Sequence, residues 1–196
     1  MVPRTSIHRS WRAAVAFSAM GLGIALHAQL QAPPAVELQI ATERAALVEI
    51  FGPYTVERAD TFFVTPDLAQ QYIQLTGYPL PEPWVIIKAI VHGGDPLGYA
   101  MVAEEVGKFY PITFLVGVDT DLRVKGVRVL VYRESHGGGV RRIRYLRQYR
   151  GKSLSDPIRR HRDIINISGA TLSVDALNRG VKKVLFLLNT YTATRP

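Results

Sequence analysis

Two hydroxyl-bearing residues flank two very small ones at Ser168-Gly169-Ala170-Thr171, directly before a segment with helical periodicity. The free N–H groups and positive dipole end of a helix N-terminus stabilise an anion by about 0.3–1 kcal/mol per charge. Gly169 and Ala170 leave space beside the Thr171 hydroxyl for a phosphodiester, although the same residue types also form ordinary turns and helix caps. The motif therefore indicates either a capped turn or an attachment point for a phosphate-bearing cofactor.

A threonine hydroxyl is a weak nucleophile unless a neighbouring base activates it. A separate enzyme would therefore have to form any ester at Thr171. A covalent link would suit a protein outside the cytoplasm, where a lost cofactor is not readily replaced.

A glycine run, His136-Gly137-Gly138-Gly139, follows Glu134 and Ser135. Consecutive glycines permit positive φ angles and close approach of the backbone to a ligand, but they also simply turn the chain. The run matches the His-Gly-Gly-Gly loop of lipases and esterases, a chemistry that requires a later Gly-x-Ser-x-Gly elbow, which this sequence lacks. The pattern disfavours a hydrolase and leaves a ligand-binding loop or a turn.

The two motifs together resemble the FMN-binding domain family, found in Rnf-type complexes, in the sodium-pumping NADH–quinone reductase and in exported single-domain proteins. Ser168–Ser173 ("SGATLS") matches the family's Ser/Thr-Gly-Ala-Thr-x-Ser/Thr signature. Gly107–Ser135 is similar to the family's strand–turn–strand segment, and Leu146–Lys152 to the segment after the glycine loop. The resemblance covers Trp84–Leu188 and implies FMN as the cofactor.

The resemblance also implies roles for individual residues. Thr171 would carry FMN through its phosphate, attached by a flavin transferase. The other residues implied to contact FMN are Glu134, Ser135, Gly137, Gly138 and Gly139 on the isoalloxazine side, and Ser168, Gly169, Ala170 and Ser173 at the phosphate end. We add Lys152 as a cation that would balance the phosphodiester, because it lies in a segment resembling the family.

Two positions depart from the family pattern. His136 replaces the proline of the family's Glu-Thr-Pro-Gly-x-Gly sequence. The transferase motif usually has an aspartate three residues before its Ser/Thr, where this chain has Ile165, and the nearest acid is Asp163. If Asp163 cannot serve in its place, FMN would bind without a covalent link.

Hydrophobic periodicity predicts the elements that hold these motifs. Helical spacing predicts helices over Leu38–Phe51 and Pro66–Leu75, after which the period changes to two. The predicted strands are Trp84–Val91, Gly98–Val106, Ile112–Val118 and Val124–Tyr132. The pattern then predicts a helix over Val140–Tyr149, a short strand over Asp163–Ile167, and a terminal helix capped by Ser173.

This order predicts an α+β fold, an antiparallel sheet meander with packed helices. We expect a signal or anchor at residues 1–28, a spacer and helical segment at 29–83, and the FMN-binding domain at 84–196. The chain has 196 residues, of which 47% are apolar, so a sizeable core is expected. It has no cysteine, which excludes disulfides, thiolate metal sites and covalent c-type haem.

The first 28 residues have the pattern of a targeting segment. Basic residues precede the apolar stretch Ala13–Ala28, and they are Arg4, His8, Arg9 and Arg12. This order is typical of a secretory signal cleaved after Ala25 or Ala28, or of a membrane anchor, although a span usually needs about 20 residues. Both interpretations place the remainder outside the cytoplasm, as a periplasmic, secreted or membrane-anchored protein.

The segment Arg141–Arg162 holds eight arginines and one lysine against one acid, Asp156, so its net charge equals the +8 of the whole chain. Nucleic acid is the usual partner of such a run, but export disfavours it. The alternatives are a solvated face, contact with an anionic membrane surface, or stabilisation of the FMN phosphate and of an acidic redox partner.

Two functions follow from these observations. The first is an exported or membrane-anchored flavoprotein with FMN on Thr171, which passes electrons to a membrane or periplasmic redox partner and is not a stand-alone enzyme. The second is a non-redox envelope binding module that keeps the fold without the flavin. The directly testable difference is the mass of the mature chain.

Overall fold

This computed structural model describes residues 34–195, and the predicted targeting segment at residues 1–28 lies outside them. In chain order the elements are α1 (Pro34–Phe51), β1 (Thr55–Phe63), α2 (Pro66–Thr76), β2 (Trp84–His92), β3 (Asp95–Val106), β4 (Pro111–Val118), β5 (Val124–Tyr132), α3 (Ile143–Leu146) and α4 (Thr171–Ala193). Short 3-10 turns flank α3 at Gly138–Arg141 and Arg147–Tyr149. Among residues 34–195, no helix is both long and apolar enough to cross a membrane.

The strands form one antiparallel sheet in the order β1-β2-β3-β4-β5, so each strand pairs with the next along the chain. This meander confirms the predicted α+β class, and the strands predicted from the alternating pattern correspond to β2 to β5. Register is fixed by pairs such as Ala103 with Phe114 and Val116 with Val127, whose side chains are buried on one face.

Helix α4 covers one face of the sheet and α1 covers part of the other. The stripe of α4 that includes Val181, Val184 and Leu188 is fully buried in the larger core cluster. At Gly180 a Cβ atom would lie 2.2 Å from Phe114 Cζ, so α4 crosses the sheet at a distance that only glycine permits. On the opposite face, Ile50 of α1 belongs to a smaller cluster with buried residues of β2, β3 and β4.

Helix α2 confirms the predicted helix over Pro66–Leu75 almost residue for residue. The Thr65 side chain accepts a hydrogen bond from Leu68 N at 3.2 Å, and Gly77 ends the helix in the left-handed conformation at φ 77°. Tyr72 is 1% exposed and its ring lies 5.2 Å from that of Phe186, so α2 is packed against α4.

Strand β1 was not predicted from the sequence, and it falls inside the segment expected to be helical. This edge strand reads "TVERADTFF", and its side chains are mostly exposed, so it lacks the alternation by which the other strands are predicted. Its Asp60 is instead held by Arg58, Arg195 and the Tyr191 hydroxyl, which link the strand to the end of α4. Strand β1 lies before residue 84 and pairs with β2, which begins there. The domain boundary expected at residue 84 therefore stays a prediction.

Three local predictions were wrong. Residues Asp163–Ile167 form no strand, since only an isolated bridge joins Arg160 to Ile164, and Ile165 N bonds to the Gln148 side chain instead. Val140–Tyr149 is a series of short helical turns, because Arg142 is extended at φ −66° and ψ 129°. Ser173 does not cap α4, which begins at Thr171 with Ala170 in the cap position.

Candidate functional site

The glycine run lies directly against the first turn of α4. Tyr132, the last residue of β5, donates its hydroxyl hydrogen to His136 O at 2.5 Å, and its oxygen lies 3.0 Å from Ser173 Oγ. Because a phenol carries a single hydrogen, Ser173 is the donor in the second bond. Tyr132 thus joins the loop that contains His136 to the helix that begins at Thr171.

Glycine is required at position 137 for two reasons. Its φ of +80° lies in the left-handed region, which side chains rarely adopt. A Cβ atom there would lie 2.8 Å from Tyr132 Oη, 3.1 Å from Ser173 Oγ and 3.2 Å from Ala170 Cβ. The two motifs singled out in the sequence therefore form one continuous surface.

Thr171 is the first residue of α4 and is partly buried. Its Oγ1 accepts a hydrogen bond from Asn166 Nδ2 at 3.3 Å. Residue 170 is alanine and makes no side-chain cap, so the N–H groups at this helix terminus are not bonded by a capping side chain. The threonine hydroxyl and these donors are therefore adjacent to one another, as an anion site at a helix N-terminus requires.

The turn before Thr171 is open to solvent. Ser168 and Gly169 are exposed, whereas Ala170 is 2% exposed. Gly169 has a φ of +75°, and a Cβ atom placed on it would have no neighbour within 4 Å. The turn is therefore open to solvent on the Gly169 side, two residues before Thr171.

The Glu134 carboxylate is hydrogen-bonded to the β3–β4 turn. Its Oε1 accepts hydrogen bonds from three successive backbone N–H groups, those of Lys108 at 2.5 Å, Phe109 at 2.7 Å and Tyr110 at 3.0 Å. The bonds from Tyr110 and Phe109 are the main reason that the pKa of Glu134 lies below its ordinary value. Glu134 thus fixes a turn that presents the exposed ring of Phe109, 68% accessible, at this edge of the sheet.

Ser135 and the remaining glycines occupy the surface of the same loop. Ser135 Oγ lies 2.9 Å from His136 Nδ1, and both residues are exposed. A Cβ atom on Gly139 would lie 3.4 Å from Ile167 Cδ1, which places this glycine beside the turn that leads to Ser168. Gly138 adjoins the Arg141 guanidinium, which is 3.2 Å from the position of its Cβ.

Lys152 is paired with a protein carboxylate. Its Nζ lies 2.8 Å from Asp163 Oδ2, and the side chains are only 15% and 19% exposed. Asp163 also accepts bonds from Ile158 N at 3.1 Å and Arg159 N at 2.9 Å. Burial raises the pKa of Asp163, but the Lys152 bond and these backbone bonds outweigh it, so the pKa is lowered. Within residues 34–195, the Lys152 side chain bonds Asp163 and none of the other predicted site residues.

One buried polar atom at this turn, Asn166 Oδ1, has no hydrogen-bond partner among residues 34–195. The Nδ2 of the same side chain bonds Thr171, so Asn166 flanks the turn with its oxygen unused. Gln148 bonds the backbone of Ile165 on the same turn, and its side chain also bonds Tyr145. A buried unpaired acceptor is rare in native proteins unless a ligand or water satisfies it. Such an acceptor fits the hydroxyl-rich chain of a flavin nucleotide.

Sequence reasoning missed Tyr132, Asn166 and Gln148. Asn166 lies two residues before the Ser168 motif, and nothing in its type distinguishes it from a turn residue. Tyr132 lies at the end of a predicted strand, where an aromatic residue is expected for packing alone. Residues 34–195 contain no group of His, Cys, Asp or Glu side chains that could hold a metal ion.

Comparison with known proteins connects this geometry to described families. Residues 107–185, which include both motifs, match the family model of the FMN-binding domain. The chain is 27% identical over 181 residues to a subunit of the ion-translocating oxidoreductase complex of Pseudomonas aeruginosa, in strains UCBPP-PA14 and PAO1. The match covers 86% of this chain and 82% of that relative.

Two solved structures are similar to this chain. One is the crystal structure of a subunit of the Na(+)-translocating NADH-quinone reductase from Parabacteroides distasonis. It superposes with a TM-score of 0.57 at 12% identity, covering 85% of this chain and 100% of that one. The crystal structure of Shewanella oneidensis NqrC gives a TM-score of 0.49 at 18% identity, over 68% of this chain and 70% of the other. The first likeness supports the antiparallel α+β architecture described above.

Proposed function

Residues 107–185 of this chain are an FMN-binding domain, and from that premise we propose a flavoprotein that carries FMN as a phosphodiester on Thr171 and transfers electrons outside the cytoplasm. The observation that carries this proposal is the contact between the two motifs. Tyr132 and Gly137 hold the glycine loop against the helix turn whose first residue is Thr171. When bound, FMN would supply one- and two-electron redox chemistry that no side chain of this protein provides.

The phosphate end of the proposed site uses the start of α4. The helix terminus supplies N–H donors and a positive dipole end beside Thr171 Oγ1. Ser168 lies on the open turn, where its hydroxyl is accessible to a phosphate oxygen, while Ser173 is occupied in holding Tyr132. We therefore assign Ser168 to binding and Ser173 to positioning the loop.

The remainder of the cofactor would lie along the glycine loop. Gly137, Gly138 and Gly139 let the backbone approach a planar ring closely, and Ser135 is exposed beside them. Asn166 has an unused buried oxygen that a ribityl hydroxyl would satisfy. Glu134 contributes indirectly, because its carboxylate is committed to the β3–β4 turn.

We further propose that the electrons pass to a membrane complex and that a flavin transferase matures the protein. The relatives from Pseudomonas aeruginosa are named as part of an ion-translocating oxidoreductase complex, which supports a partner in the membrane. The targeting pattern of residues 1–28 supports an extracytoplasmic location. The uncompensated arginines of Arg141–Arg162 support contact with an anionic membrane surface or an acidic redox partner.

The direct test is coexpression of the full chain with a periplasmic flavin transferase, followed by a denaturing gel viewed under ultraviolet light. We expect a fluorescent band that is absent in Thr171→Ala and retained in Thr190→Ala, a matched threonine near the other end of α4. Intact mass should show one FMN, less one water. A dark band and an unmodified mass for the wild-type chain would refute the covalent link.

One observation favours a second candidate, an envelope binding module without flavin. Asp163, the acid nearest to the expected transferase position, has its carboxylate turned to Lys152 and two backbone N–H groups, and Ile165 is 76% exposed. If the transferase needs a free acid there, the chain would stay unmodified. Colourless protein of unmodified mass, isolated from a host with an active transferase, would favour this module.

A further inference from the structure

A second concave surface lies along α4, and none of the motif residues lines it. This cleft has a volume of about 480 Å³ and is enclosed by the end of α2, the loop of residues 155–162, and α4. Its α4 wall is made by Asp175, Asn178, Arg179 and Lys182, and the facing wall includes Tyr72 of α2 and Tyr78, which follows the end of that helix. The proposed FMN site does not account for this cleft.

The cleft carries an excess of positive charge. Five cationic side chains and two carboxylates line it. The cations are Arg159, Arg160, Arg162, Arg179 and Lys182, and the carboxylates are those of Asp156 and Asp175. Arg160 is neutralised by a two-point contact with Asp175, at 2.6 and 2.9 Å. In contrast, the guanidinium groups of Arg159 and Arg162 contact no carboxylate among residues 34–195.

The loop that presents these two arginines is held in a conformation that side chains rarely adopt. Ile158 has a φ of +47° and His161 a φ of +61°, and together they bracket Arg159. The Asp163 carboxylate bonds the N–H groups of Ile158 and Arg159, and the Ile158 side chain is 2% exposed. Strained backbone that the surroundings enforce is concentrated at ligand-binding loops.

The other polar groups available in the cleft are also donors. Asn178 uses its Oδ1 to accept the Tyr149 hydroxyl at 2.7 Å, and its Nδ2 bonds no residue of the described chain. Burial raises the pKa of Tyr149 well above its ordinary value, so the phenol stays protonated and this arrangement is fixed. Lys182 Nζ donates to Leu154 O and Asp156 O, both at 2.6 Å, so one of its three N–H groups is available to a ligand.

We propose that this cleft binds the phosphate group of an anionic ligand, with Arg159 and Arg162 as the principal contacts and Asn178 and Lys182 as additional donors. A phosphate monoester offers three terminal oxygens and a phosphodiester headgroup two, and guanidinium groups bind such acceptor oxygens through two parallel hydrogen bonds. Tyr78, which is 47% exposed, offers an aromatic face for an apolar part of the same molecule. The phosphate belongs either to a free phosphate ester or to a lipid headgroup, and two probes distinguish these sources.

The test uses the full chain and two double variants that remove equal charge. Arg159→Gln/Arg162→Gln alters the cleft, whereas Arg144→Gln/Arg147→Gln removes two exposed arginines of the same basic segment that do not line it. Binding of glycerol 3-phosphate is measured by calorimetry, and binding to vesicles of phosphatidylglycerol, against phosphatidylcholine, by cosedimentation. We expect the cleft variant to bind about tenfold more weakly or worse, and the control to change by less than about twofold.

Each outcome has a definite meaning. Saturable binding of glycerol 3-phosphate that is lost in the cleft variant assigns a free ester, whereas cleft-dependent binding to phosphatidylglycerol vesicles alone assigns a headgroup. Equal weakening by both double variants would show general surface charge and overturn the proposal, as would the lack of saturable binding to either probe. Flavin fluorescence on the denaturing gel should be the same in both double variants, so this proposal and the flavin proposal fail independently.

Discussion

The Tyr132 hydroxyl oxygen lies 3.0 Å from Ser173 Oγ and joins the end of β5 to the first turn of α4. The same oxygen donates to His136 O, so a single phenol fixes the loop on one side and the helix on the other. Tyr132 and Ser173 are 41 positions apart in sequence, which explains why residue patterns identify each motif separately but do not reveal their contact. The integrity of the proposed site therefore depends on this phenol.

Tyr132→Phe removes both hydrogen bonds and keeps the ring. We expect a loss of about 1–2 kcal/mol in the free energy of unfolding, because each buried or partly buried hydrogen bond contributes about 0.5–1.5 kcal/mol. Urea denaturation measures this, with Tyr110→Phe as the control, since the exposed Tyr110 side chain forms no hydrogen bond in the described chain. Equal stabilities of the two variants would contradict the assigned role of Tyr132.

Gly137→Ala and Gly169→Ala form a matched pair. Both glycines have a left-handed backbone, with φ of +80° and +75°, so both variants lose conformational energy of about 1 kcal/mol. Only the alanine at position 137 meets neighbours, at 2.8 Å from Tyr132 Oη. We expect Gly137→Ala to be the more destabilised variant by at least about 1 kcal/mol in urea denaturation. A difference close to zero would mean that the loop does not pack against α4 as described.

Asp163→Asn should destabilise the protein at neutral pH and have little effect in acid. The pKa of Asp163 is lowered in the folded state, so its contribution is present above the unfolded value of about 3.9 and is lost as the pH falls through the folded value. Loss of charged hydrogen bonds predicts about 2–3 kcal/mol at pH 7. Unfolding free energies at pH 7 and at progressively lower pH measure this, with the exposed Asp121→Asn as the control. A pH-independent difference would contradict the prediction.

Glu134→Ala should expose the backbone of the β3–β4 turn. The amides of Lys108, Phe109 and Tyr110 lose their shared acceptor, so their hydrogen exchange should accelerate at neutral pH. In the wild-type protein the same protection should be lost as the pH falls through the lowered pKa of Glu134. Hydrogen exchange measured by NMR tests both statements.

The control for Glu134→Ala is Asp119→Ala in the β4–β5 turn. Asp119 Oδ1 accepts from Asp121 N at 3.1 Å and Arg123 N at 2.9 Å, so this variant should accelerate exchange at those amides alone. Unchanged exchange at residues 108–110 in Glu134→Ala would show that the carboxylate does not hold the turn.

The sequence predicted the central strands and helices well because their apolar residues repeat with a clear period. Leu177, Val181 and Leu188 of α4 are all buried, as their spacing requires. The edge strand β1 was missed because it buries little and carries charged residues such as Glu57 and Asp60. A sequence pattern identifies a strand by the alternating apolar residues that one face buries, and an edge strand that buries few side chains lacks this alternation.

The site was predictable only where a residue type is itself informative. Thr171 and the glycines are assigned to the site from the motifs, and the structure brings Gly137 against the start of α4. Lys152 and Glu134 were assigned to the cofactor, yet the structure pairs Lys152 with Asp163 and Glu134 with backbone N–H groups. Such pairings join residues distant in the chain, so neither periodicity nor spacing reports them.

The close crossing of α4 over the sheet at Gly180 has a mechanical consequence. Gly180 is nine residues beyond Thr171, about 14 Å along the helix, and Phe114 blocks any sideways slip there. This contact and the buried stripe of α4 fix the position of the helix on the sheet, and with it the position of Thr171. A flavin attached at Thr171, as proposed, would therefore have a defined anchoring point, and its distance to a redox partner would depend on how the domain docks and on the reach of the flavin linker.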